Sequence, residues 1–113
     1  MANSIQPVQH IPIDSLGAGA NILVAGTPGY SIRILGLVLS ADGTVDSTLH
    51  DTVDNLALFN FVAGVPQVLP TSGLGWGSTG SGNALVLTVG AGDVVVSGAL
   101  VYCLAPDHLQ WGL

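Results

Sequence analysis

Two long apolar runs, Tyr30–Ala41 (YSIRILGLVLSA) and Val94–Ala105 (VVVSGALVYCLA), decide the fold by how their side chains divide between two faces. Both are rich in Val, Ile and Leu and are bounded by Gly, Asp and Pro, which predicts β-strands. Alternate residues of a strand point to opposite sides. Unbroken alternation puts Tyr30, Ile32, Ile34, Gly36 and Val38 on one face of the first run. Arg33, Leu35, Leu37, Leu39 and Ala41 fall on the other. In the second run Val94, Val96, Gly98, Leu100, Tyr102 and Leu104 share one face, and Val95, Ser97, Ala99, Val101, Cys103 and Ala105 the other. A sandwich that wets one face of each sheet alternates apolar with polar residues. These runs are apolar or small on both faces, so the outer face of one sheet is expected to pack against neighbouring subunits.

Outward from these runs the same punctuation repeats. Strands are predicted near Gln6–Ile13, Asn21–Ala25, Tyr30–Ala41, Thr44–Leu49, Leu56–Ala63, Gln67–Leu69, Ala84–Ala91 and Val94–Ala105. Thr27-Pro28-Gly29, Ala41-Asp42-Gly43, Asp51–Asn55 and Gly90–Asp93 are the turns between them, Asp42-Gly43 reading as the best hairpin turn. Thr71–Asn83 (TSGLGWGSTGSGN) reads as a wide Gly/Ser-rich surface loop whose one large aromatic, Trp76, folds back to cap the core or contacts a partner. Its glycine spacing satisfies no phosphate-binding fingerprint, and no basic residue lies near. Pro7 and Pro12 each lack a backbone donor, so residues 1–16 read as an extended N-terminal arm or an edge strand. Residues 17–113 read as a single β-sandwich domain. Strong helix formers are scarce. The predicted class is all-β: one jelly-roll-like antiparallel sandwich of about eight strands.

Composition narrows the function. The chain of 113 residues has no Lys and no Glu, one Arg (Arg33) and seven Asp, for a net charge of −6. Charged residues make up 7% and mean hydropathy is +0.65, whereas a soluble domain carries about a quarter of its residues as charges. Either the chain enters a membrane or much of its surface meets protein. No stretch approaches the roughly 20 apolar residues of a spanning helix, and most strands lack the alternation of a transmembrane barrel. MANSIQPVQH carries no basic side chain and does not read as a secretory signal. One cation per chain argues against a nucleic-acid partner and against an anionic membrane surface. Cys103, alone in an apolar run, reads as a buried small hydrophobe.

Chemistry has little to work with. His50, Asp51 and Asp54 (HDTVDN) form the densest polar cluster and lack a recognised metal-ligand spacing; they read as a solvated turn, the alternative being a divalent-metal site completed by identical clusters around a symmetry axis, and no metal and no cofactor is assigned. His10 and His108 read as surface positions. No Gly-x-Ser-x-Gly elbow is present, and Ser78 and Ser81 sit in the Gly-rich loop, a poor base for a nucleophile. No catalytic residue is assigned. Arg33 among apolar neighbours is expected to meet an Asp of its own or an adjacent subunit.

The order GYSIRILGLVLSADGTV (Gly29–Val45), then LPTSGLGWGSTGSGNALVLTVGAGDVVVSGALVY (Leu69–Tyr102), resembles small virion proteins of tailed phages and prophages. The matching positions are Ile32, Arg33, Ile34 and Leu35; Pro70, Gly75 and Trp76; Gly82, Ala84, Leu85 and Leu87; Gly98, Leu100 and Tyr102. Gly77, where an aromatic or charged residue often follows the loop Trp, and the Asp-rich segment Leu49–Leu58 depart from the pattern. The resemblance implies a capsid decoration or cement protein: a β-sandwich homotrimer on the capsid surface of the virion, bound to the major capsid protein. The expected oligomer interface comprises Arg33, Leu35, Leu37, Leu39, Val95 and Val101. The expected capsid contacts are Ile5, Val8, Ile11 and Ile13 of the arm, with Trp76 as the loop aromatic. The alternative is a carbohydrate- or receptor-binding module of a tail fibre or lectin-like protein, using Trp76, Trp111 and the Asp/His turn.

Overall fold

The structure is a computed structural model and describes residues 7–72, 75–90 and 92–106. Nine strands follow one another: β1 (Gln9–Leu16), β2 (Gly19–Val24), β3 (Tyr30–Ala41), β4 (Val45–His50), β5 (Asn55–Phe61), β6 (Gln67–Leu69), β7 (Gly77–Ser78), β8 (Leu85–Val89) and β9 (Val96–Pro106). No helix occurs among the described residues. The strands form two antiparallel sheets. One has the order β1-β9-β3-β6, with the short β7 also paired to β3; the other has the order β2-β8-β4-β5. The chain is an all-β sandwich.

Most connections cross from one sheet to the other, and this changes the reading of the turns. Asp42-Gly43, expected to close a hairpin, instead carries the chain from β3 in the first sheet to β4 in the second. Asp42 is tied to a segment distant in sequence: its Oδ1 accepts from Val95 N–H at 2.8 Å, and its own N–H donates to the Val95 carbonyl at 3.1 Å. Gly43 lies close under Val94: a Cβ there would stand 2.7 Å from Val94 Cγ2, which would have to shift. The hairpin within one sheet is β4–β5, closed by Asp51–Asp54.

The core lies between the sheets. Ile32, Ile34, Leu37, Leu39, Val96 and Leu100 of the first sheet meet Val45, Leu49, Phe59, Phe61, Leu85, Leu87 and Val89 of the second. Unbroken alternation cannot bring both Ile34 and Leu37 inward. A β-bulge between Ile34 and Gly36 does so: Ile34 pairs with Tyr102 and Gly36 with Val101, so β3 holds one residue more than β9 there. Inward side chains are even-numbered before the bulge and odd-numbered after it. The two-faced apolar character of β3 is therefore largely one core face written in two registers.

Within the segment expected to be a wide surface loop, residues 72, 76, 79 and 82 bond along β3. Ser72, Trp76, Thr79 and Gly82 N–H groups donate to the carbonyls of Leu35, Ile34, Ile32 and Tyr30, and the Ile32 N–H donates to Thr79 Oγ1 at 2.9 Å. It covers half of an edge that β6 covers only at Leu37–Leu39. Residues 9–16 are an edge strand, not a free arm: Gln9 to Ile13 pair in register with Tyr102 to Gly98. Pro12 is tolerated because an edge strand bonds on one side only and can leave a donor out of the ladder.

Candidate functional site

The turn HDTVDN is held by one carboxylate. Asp51 is 2% exposed. Its Oδ1 accepts from the N–H groups of Val53 and Asp54, each at 2.7 Å, folding the turn on itself. Its Oδ2 accepts from Gly80 N–H at 2.7 Å and from Asn83 Nδ2 at 3.3 Å, tying the turn to the loop that runs along β3. Burial raises the pKa of this carboxyl, but the N–H groups of Asp54, Gly80 and Val53, with the Asn83 amide, outweigh it and lower the value from 3.8 to about 2. Both oxygens are thus occupied by donors. Residues 52–55 of the turn are exposed, as expected, while Asp51 is buried within it as a structural clamp.

His50 is also engaged. Its Nδ1 donates to the Asp51 carbonyl at 2.6 Å, which leaves Nε2 to accept the Thr88 hydroxyl at 2.7 Å in the neutral ring. Among the described residues no group of three His, Cys, Asp or Glu side chains stands together.

Trp76 does not cap the core. It is 49% exposed, and its Nε1–H donates to the Pro70 carbonyl at 2.6 Å. Its backbone N–H is the group bonded to Ile34 beside the bulge. The indole is thereby fixed in orientation while half of it stays in solvent, an arrangement suited to contact with another surface.

The residues expected at an oligomer interface separate. Leu37 and Leu39 belong to the sandwich's own core, because the bulge turned them inward. Leu35 is buried at the bulge outside the main core cluster. Arg33, Val95 and Val101 are half-buried. Arg33 stands opposite Cys103 on β9 and Ser78 on β7. Cys103 is buried; burial pushes its thiol pKa up, and the Arg33 charge offsets part of this. Of the expected capsid contacts, Ile13 is core and Ile11 packs against it, Val8 is exposed, and Ile5 lies outside the described residues, as do His108 and Trp111.

Sequence reasoning missed two surface features. Val38, Val68, Ala99 and Pro12 are exposed on the outer face of the β1-β9-β3-β6 sheet, whereas straight alternation puts Val38 on the face of Ile32 and Ile34. A cleft of about 330 Å³ opens near the start of β3, lined by Pro7, Gln9, Thr27, Tyr30, Tyr102 and Leu104. Its residues come from separate stretches of the chain, and no local spacing announces it. Compared with known proteins, the chain matches no family model, no characterised protein and no solved structure.

Proposed function

We propose that this protein is a phage virion structural protein, a capsid decoration or cement protein that binds the outer shell as a homotrimer and stabilises it. The observation that carries this reading is the exposure of large apolar side chains on a small sandwich with almost no countervailing charge. Ile22, Leu58 and Val68 are each more than half exposed on strands, and Val53 on the β4–β5 turn. With charged residues at 7% where a soluble domain carries about a quarter, such surface is suited to contact with protein. The strand order supports a jelly roll, an architecture common in capsid proteins. With β7 set aside, strands pair first with last, second with second-last, and so inward to the β4–β5 hairpin. A protein that binds only the assembled shell stabilises it by mass action. The partners are then its own copies and the major capsid protein, and its location the capsid surface. Immunogold electron microscopy of intact virions tests this: label over the shell is expected, and label confined to the tail, or none, overturns it.

The second reading, a carbohydrate- or receptor-binding module of a tail fibre or lectin-like protein, is favoured by the cleft. Two tyrosine rings beside Gln9 and Thr27 offer stacking and hydrogen bonding in a volume at the lower end of ligand pockets. A glycan array with the purified protein separates the two, since a cement protein retains no glycan.

A further inference from the structure

The cleft near the start of β3 is a stretch of the core face left open. Tyr102 is registered with Gln9 of β1 and with Ile34 of β3, and Leu104 with Ile32. Registered neighbours share a face. Ile32 and Ile34 point into the core, so Gln9, Tyr102 and Leu104 point inward too. Tyr30, two residues before Ile32, joins them by alternation. On this one face Ile32 and Ile34 are buried, whereas Tyr30, Tyr102 and Leu104 are half-buried and Gln9 is exposed. The interior is closed at the isoleucines and open beyond them. Thr27 reaches the opening through a turn in which its carbonyl accepts the Tyr30 N–H at 3.1 Å. With Pro7 it completes the cleft of about 330 Å³.

The lining selects a class of ligand. Two tyrosine rings, Leu104 and Pro7 make apolar walls. The Gln9 amide and the Thr27 and Tyr102 hydroxyls have no hydrogen-bond partner among the described residues. Each of these three groups can both donate and accept. A ring with a rim of hydroxyls needs such partners, because every hydroxyl is donor and acceptor at once. Its C–H surface needs aromatic walls, whose faces are negative. No charged side chain among the described residues lines the cleft, and Arg33, next to Ile32, points to the opposite face. An anionic ligand would meet no cation there, on a chain of net charge −6. The volume is near the low end of ligand pockets, about 300 to 1,000 Å³, which suits a short ligand.

We propose that this cleft binds the terminal pyranose ring of an uncharged glycan, with the tyrosine rings against its C–H surface and Gln9, Thr27 and the Tyr102 hydroxyl bonding its rim. This rests on the second reading above and gives it a site away from Trp76 and the Asp51 turn. The test is binding of the full chain to an array of glycans ending in glucose, galactose, mannose or N-acetylglucosamine, with sialylated and glucuronate-ended glycans beside them. Retention by at least one uncharged terminus is expected, with weaker or no retention by the acidic ones. Tyr102 also packs against the core. The variants are therefore Tyr102→Phe, which keeps that packing, and Gln9→Ala, at an exposed position, with melting curves as the check on folding. Each is expected to weaken binding to the retained glycan by about fivefold, as the loss of one hydrogen bond does. Trp76→Ala is expected to leave it unchanged. Equal or stronger retention by acidic termini overturns the ligand class. Undiminished binding in both cleft variants, or loss with Trp76→Ala alone, overturns the site. In either case the glycan-binding reading stands. Retention of no glycan at all overturns the cleft site and that reading together.

Discussion

Asp51 concentrates more of the fold's polar bonding than any other side chain described, and its energetics can be read on acidification. Its folded-state pKa of about 2 lies below the ordinary 3.8. As pH falls, the unfolded chain therefore takes up this proton first. The contribution to stability is complete above about pH 5 and is lost between there and pH 2. A depression of this size corresponds to about 2 kcal/mol. Asp51→Ala should lower stability at pH 7 by about 3 kcal/mol, since it strands the Gly80, Val53 and Asp54 donors. It should also flatten the acid limb of the stability curve, and urea midpoints between pH 2 and 7 measure both effects. Ser47 is the converse case. It is buried, paired with Phe59 and Val89 in the ladder, and its Oγ has no hydrogen-bond partner in the structure. Ser47→Ala removes an unsatisfied hydroxyl and should stabilise the protein by about 1 kcal/mol, read from the same urea midpoints. Trp76→Ala, which would cost about 3 to 5 kcal/mol for a core aromatic, should cost under about 2 kcal/mol in denaturant. The half-exposed ring gives up mainly its bond to Pro70.

At the scale of elements, the strands were legible and their faces were not. Turn residues and β-branched runs mark strand ends in the local sequence, and β3 and β6 coincide with the predicted Tyr30–Ala41 and Gln67–Leu69. Facing, however, depends on counting by twos, and one bulged residue inverts every position after it. Gly36 is the only local hint of the bulge, and a strand glycine marks a tight bend or a close backbone approach just as readily. The same limit applies at Ser15, where φ is 53° beside the shift in β1, and at the β7 segment, whose pairing partners lie more than forty residues away. Asp51 was legible as a turn residue but not as a clamp, because Gly80 and Asn83 reach it only through the tertiary fold. β1 yields the prediction that belongs here. Deleting residues 2–13 removes Ile11 and Ile13 from the core side and bares the edge of β9. The truncated chain should lose its cooperative melting transition, whereas a free arm would leave the melting temperature unchanged.

For the whole molecule, the governing fact is the scarcity of charge beside much exposed apolar surface. Among the described residues, aspartates occupy turns, the β4 face and the end of β1, while one row of the β1-β9-β3-β6 sheet, Pro12, Ala99, Val38 and Val68, is exposed and uncharged. Composition alone leads to the expectation of covered surface, but it does not place the exposed apolar residues, since the bulge redistributes Val38, Leu37 and Leu39. That scarcity also decides how the proposed self-association should respond to salt. The attraction is apolar and does not depend on ionic strength in the way an ion pair does. The opposing force is repulsion between two chains of charge −6. Raising salt from about 0.1 to about 1 M shortens the Debye length from about 10 Å to about 3 Å and screens that repulsion between exposed aspartates. Self-association should therefore hold or tighten across this range. Sedimentation equilibrium at the two salt concentrations measures it, and dissociation at the higher one would mean that the contact is an ionic seam built on Arg33 instead.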